Sequence, residues 1–155
     1  MNKKLGFLAL IPLQLSCSVE PEVITETYPS GKKKEEGSIL NNRKVGKWEW
    51  WYASGHKRGE AIYSNGKKNG PAAYWFKNGN LDRKGEFKKG RLHHEWTSWY
   101  SSSVKRSIAT YLKGQFHGPY GRWYENGQQE IEGQYHRGER TGEWSWWYEL
   151  GQLRS

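Results

Sequence analysis

Lys47-Trp48-Glu49-Trp50-Trp51-Tyr52-Ala53-Ser54-Gly55 decides the fold of this chain. Four rings within five residues, bounded by polar and turn-forming residues, favour an extended strand over a helix. Tyr52-Ala53-Ser54-Gly55 then puts glycine where a three-residue hairpin loop requires positive φ, because glycine has no Cβ to clash there. The same device returns every 24 residues, at Tyr28, Tyr52, Phe76, Tyr100, Tyr124 and Tyr148, and tryptophan precedes five of the six, at Trp51, Trp75, Trp99, Trp123 and Trp147. A fixed period of this size marks a repeat architecture and outranks other signals.

With that aromatic as column 1, column 4 holds Gly31, Gly55, Gly79, Gly127 and Gly151, interrupted by Ser103. Column 10 holds only Gly or Ala (Gly37, Ala61, Gly85, Ala109, Gly133), and column 12 holds Tyr63, Phe87, Tyr111 and Tyr135. Columns 15 and 19 are again mostly glycine. A second reversal at Asn65-Gly66, Lys89-Gly90 and Arg137-Gly138 gives each unit two strands and two turns. The expected fold is all-β: a repetitive antiparallel β-hairpin meander, single-layered and elongated, with five full units and a partial sixth over residues 28–155. Taking column 1 to face column 5 across the first turn places column 24 on the face of columns 10 and 12, with columns 1, 21 and 23 on the other. A single unit cannot bury such stripes, so stability must come from contacts between neighbouring units.

The columns resemble the variant MORN repeat. Tyr124-Glu125-Asn126-Gly127, through Glu132-Gly133-Gln134-Tyr135, to Gly142-Glu143-Trp144 carries the whole pattern. The resemblance implies a β-hairpin sheet serving as a scaffold or membrane-associated adaptor. In bacteria, similar arrays are known as YwqK-type antitoxin components, which implies a protein partner and an antitoxin or immunity-like role. A classical antitoxin meets its toxin in the cytosol, whereas this N-terminus points outward.

Residues 1–16 have the layout of a signal peptide: Lys3 and Lys4, an apolar run from Leu5 to Leu15, then small residues. That run is too short to span a bilayer, which takes about 20 residues. Cys17, the single cysteine, follows directly and resembles a lipoprotein cysteine, although Gln14 stands where leucine is usual. Residues 17–27 then read as a lipidated cysteine and tether. The expected location is a bacterial cell envelope with a lipid anchor in the membrane. The outer membrane is preferred because Ser18 follows the cysteine where similar inner-membrane lipoproteins carry aspartate; without lipidation the chain is secreted.

The chain is strongly basic, with a formal charge of +9, and removing residues 1–16 takes away only two lysines. Its cations alternate with glutamates and no nucleic-acid reader motif accompanies them, so nucleic acid is not an expected partner. A protein partner docking on one aromatic face is the leading expectation. The alternative is an envelope glycan or anionic lipid, with Trp48, Trp96, Tyr120 and Trp144 of column 21 as the stacking platform. Packing between units explains the same rings equally well. The breaks in the pattern add candidate binding residues: His93 and His94 replace the usual column 18 and 19 residues, and Ser101-Ser102-Ser103 precedes Lys105 and Arg106. Loss of the turn glycine at Ser103 weakens a tight turn unless the loop is reshaped, which leaves two readings: neutral drift in one repeat of six, the favoured one, or a functional bulge. No catalytic residues, metal ligands or cofactor are assigned. Asp82 is the sole aspartate, and the histidines of column 18 stand about two strands, or roughly 10 Å, apart.

Overall fold

The computed structural model describes residues 19–154. These form one open sheet of eleven antiparallel strands in chain order. The strands are β1 (Glu22–Thr27), β2 (Lys33–Leu40), β3 (Arg43–Trp51), β4 (Lys57–Ser64), β5 (Lys67–Trp75), β6 (Leu81–Lys88), β7 (Arg91–Trp99), β8 (Lys105–Leu112), β9 (Gln115–Trp123), β10 (Gln129–His136) and β11 (Glu139–Trp146). The all-β hairpin meander expected from the sequence is what forms. Cys17 and the signal-like segment lie outside the described residues. Glu22–Thr27, read from sequence as part of a tether, instead pairs along β2 as the first strand, because alternating Val23-Ile24-Thr25 supplies β-branched residues at the register of a column 19–24 segment.

The two turns of each unit differ in kind. The first is a three-residue loop: the amide of Tyr52 donates to the carbonyl of His56 at 2.9 Å, and that of Gly55 to Tyr52 at 2.8 Å, with Gly55 at φ 95. The second is a two-residue loop with both residues at positive φ, as at Asn65 (φ 50) and Gly66 (φ 78), the type I′ geometry whose twist matches its flanking strands. Asn, Lys and Arg occupy its first position, so the sequence signal there is weaker than at the glycine columns. The loop at Ser103 is not reshaped. Tyr100 donates to Val104 at 2.8 Å and Ser103 to Tyr100 at 2.9 Å, as in the glycine turns, and Ser103 itself takes φ 71. Two hydrogen bonds and the sheet on either side impose the turn on a residue that disfavours it.

The face assignment expected from the sequence is inverted. Column 1 does face column 5, but one residue further on each even-numbered strand carries a bulge: Trp51 pairs with Lys57, yet Trp50 pairs with Gly59, leaving Arg58 extra. One inserted residue moves every side chain beyond it to the opposite face. Columns 10, 12, 21 and 23 therefore share one face, here the aromatic face, and column 24 lies on the other.

On the aromatic face, the indole of Trp48 covers Gly37, that of Trp96 covers Gly85 and that of Trp144 covers Gly133. A methyl group at those glycines would meet ring carbons at 2.2, 2.4 and 2.3 Å. Where column 21 is Ala72 or Tyr120, the residue before it in column 10 is Ala61 or Ala109. Trp48, Ala61, Ala72, Trp96 and Ala109 make the buried spine of the sheet. Trp48 and Trp96 also donate their indole N–H groups to the carbonyls of Ser38 (3.0 Å) and Glu86 (2.9 Å).

Column 1 ties each three-residue turn to the next one along the sheet. The hydroxyls of Tyr28, Tyr52 and Tyr100 each donate to the carbonyl of the column 24 tryptophan 23 residues on, at 2.8 Å, and Tyr124 does so at 3.0 Å. Phe76, without a hydroxyl, leaves one gap in this series.

Candidate binding face

A single row of side chains crosses the aromatic face from strand to strand: Trp50, Gly59, Tyr74, Arg83, Ser98, Ser107, Arg122, Ile131 and Trp146. Column 23 supplies its large members, at Trp50, Tyr74 and Trp146, but holds serine at Ser98. Ser98 sits directly opposite Ser107, and their hydroxyl oxygens are 2.7 Å apart. Two small side chains side by side leave a hollow of about 380 Å³, walled by Phe87, Trp96 and Tyr111 and rimmed by Lys68, Arg83 and Arg106.

To one side of the hollow the rings are covered by cations. The Lys44 ammonium stands 3.6 Å from the Trp48 ring centre and bridges to Glu35 at 3.2 Å, while Lys68 lies 5.1 Å from Tyr74 and 5.0 Å from Phe87. To the other side the column holding those lysines carries Phe116, which stacks between Tyr111 (4.8 Å, 29°) and Tyr135 (4.8 Å, 22°). Tyr135 in turn meets Tyr120 at 5.5 Å and Trp144 at 4.9 Å, both edge to face. These rings are half-buried with no second layer over them, and burial pushes the Tyr111 and Tyr120 hydroxyl pKa values up. Arg140 lies 4.5 Å from the Trp144 ring centre.

The candidate residues read from sequence are distributed unevenly over this geometry. Trp48 and Trp96 are 2% and 8% exposed and belong to the spine, and three strands separate them, so column 21 is not one continuous platform. Tyr120 and Trp144 are neighbours, 6.0 Å apart, and half-buried. His94 occupies the column 19 position that is otherwise glycine, at φ 58, and its Nδ1 lies 2.9 Å from a Glu86 carboxylate oxygen. The His93 ring stacks on it at 4.1 Å, and desolvation, aided by His94, lowers the His93 pKa. Lys105 and Arg106 lie at the far end of the β7–β8 pair from these histidines. Lys105 stands 5.1 Å from the Trp123 ring on the opposite face, whereas Arg106 is the bulge residue of β8 and its Nε donates to Ser98 Oγ at 3.3 Å. Sequence reasoning thus flagged Trp96 and Arg106 but missed Ser98, Ser107 and Arg83. The available signal was the lone serine in a column of large side chains.

The opposite face is closed by charge. Lys57 bridges Glu49 at 2.6 Å and Glu60 at 2.5 Å, Lys47 bridges both at 3.1 Å, and Lys57 also lies 5.2 Å from the Trp75 ring. The hydrogen bond from Lys57 holds the Glu49 carboxyl below its ordinary range. Burial opposes ionisation of Glu60, but hydrogen bonds from Lys57 and Lys47 outweigh it. Among the described residues no three His, Cys, Asp or Glu side chains converge as metal ligands.

No curated protein matches the chain significantly. Residues 44–65 and 140–155 match the family described as MORN repeat variant. The first of these segments is the β3–β4 hairpin with its flanking turns, and the second is β11 with the closing turn beyond it. These two segments of the chain are thus similar to the variant MORN repeat, and MORN repeats are commonly modules that bind proteins or membranes.

Proposed function

We propose that this is a non-catalytic, envelope-anchored scaffold that docks a protein partner on the part of its aromatic face around Phe116, Tyr120, Tyr135 and Trp146. The observation that carries this reading is the contrast across that face. Lysines lie over the rings beside Trp48 and Tyr74, while the Tyr111–Phe116–Tyr135 stack is half-buried and, among the described residues, has no cation over its rings. Rigid aromatic surface of this kind is what interface hot spots are made of. The opposite face has its lysines and glutamates already paired and offers a partner less. The envelope anchor rests on the N-terminal sequence and the antitoxin or immunity-like role on family resemblance.

Photocrosslinking in the producing cell tests the reading. A benzophenone side chain replacing Phe116 in the full chain is expected to capture one defined protein, and the same group replacing Ile62 on the opposite face is not. Equal capture from both faces, or none from Phe116, removes the proposed docking face. Mass spectrometry of the N-terminal peptide checks the anchor separately: a diacylated or triacylated Cys17 supports it, and a free thiol on an intact N-terminus rejects it.

A further inference from the structure

We propose that the hollow over Ser98 and Ser107 binds a small organic phosphate monoester with an aromatic or apolar body. Three observations converge on this ligand. First, the hollow is built by the sequence: Ser98 replaces the ring that column 23 places at Trp50, Tyr74 and Trp146, and Ser107 opposite it is equally small. The resulting volume of about 380 Å³ suits a small molecule.

Second, among the described residues its cations lack the carboxylate partners that Lys34 and Lys44 have at equivalent positions. In β2 and β10 the bulge residue meets column 23 of the strand before it: Lys34 pairs with Glu26 at 2.7 Å and Glu130 with Arg122, while Arg58 of β4 lies over the Tyr52 ring. Arg106, in the same position, forms no ion pair among the described residues and donates to the Ser98 hydroxyl. Lys68 forms no ion pair among the described residues; its ammonium donates to the Tyr74 hydroxyl at 2.5 Å. Arg83 lies 4.8 Å from the Tyr74 ring centre, and its one carboxylate among the described residues is Asp82, at 3.9 Å. Three cations against one carboxylate leave an excess matching the two negative charges of a phosphate monoester. Its three terminal oxygens also suit two guanidinium groups and a hydroxyl floor.

Third, the walls are rings. Phe87, Trp96 and Tyr111 line the hollow beside the cations, so an apolar or aromatic ester group would have surface to pack against while its phosphate lies at the rim.

Titration of the full chain with phenyl phosphate, followed by calorimetry, tests the proposal. Saturable one-to-one binding is expected, with inorganic phosphate alone at least tenfold weaker. Ser98→Tyr restores a ring of the kind Tyr74 carries in the same column and leaves every charge in place, so its dissociation constant should rise at least tenfold. Arg106→Gln, at an exposed bulge, gives a second variant that keeps the room and removes one cation; a similar weakening is expected. Absence of saturable binding at millimolar phenyl phosphate, or unchanged affinity in either folded variant, overturns the proposal. Equal affinity for phenyl phosphate and inorganic phosphate overturns the assignment of an apolar body.

Discussion

The indole of Trp96 lies over the backbone of Gly85 so closely that a methyl group on that glycine would fall 2.4 Å from the ring. The relation repeats at Gly37 with Trp48 and at Gly133 with Trp144, and it lapses to alanine where no indole follows. Gly85→Ala should therefore destabilise the sheet by about 1–3 kcal/mol, the usual cost of overpacking. Combined with Trp96→Ala it should cost less than the two single changes added, since Ala61 and Ala72 already form such a pair. Urea denaturation of the single and double variants measures the coupling.

Phe76 marks the one unit whose column 1 ring lacks the hydroxyl that Tyr52 and Tyr100 donate to the tryptophan carbonyl 23 residues on. Phe76→Tyr should supply that bond to the Trp99 carbonyl and raise stability by about 0.5–1.5 kcal/mol, with Tyr100→Phe losing a similar amount. The shift in denaturation midpoint reads both.

Ser103 holds φ 71 in a turn whose equivalents are glycine. Ser103→Gly should stabilise by about 1 kcal/mol by relieving the left-handed conformation. A neutral or destabilising result in thermal unfolding would contradict this account of the turn.

Glu49 and Glu60 titrate below the ordinary carboxylate range because Lys57 and Lys47 bridge them. A depressed folded pKa contributes stability above the unfolded value, about 4.3 for glutamate, and that stability is lost as pH falls through the folded value. The melting temperature should therefore drop on acidification below about pH 4.3, and Glu49→Gln with Glu60→Gln should flatten that decline. A wild-type slope in the double variant would show that other carboxylates carry it.

Much of the fold was legible in the sequence because glycine at column 4 and small residues at column 10 have single physical uses: a positive φ, and room beneath a ring. The two faces were not legible. Arg58, Asp82 and Arg106 look like ordinary strand residues, yet as bulges they reverse the alternation beyond them. For Trp48 and Trp96 the sequence left a stacking platform and packing between units equally open, and they are spine. The hollow escaped notice because its signal is the missing ring at Ser98, and periodicity draws attention to what is present. Arg106 was singled out for its position after an irregular turn, whereas its relevance comes from the bulge that aims it at Ser98.

An open, single-layer sheet runs in chain order from β1 to β11. Spin labels at Val23 and Thr141, with Cys17 replaced by serine, measure its span by pulsed electron resonance. Ten strand spacings of about 4.8 Å predict a separation near 40–50 Å after twist. A distance below about 25 Å, which would bring the two edge strands together as in a closed barrel, would contradict it.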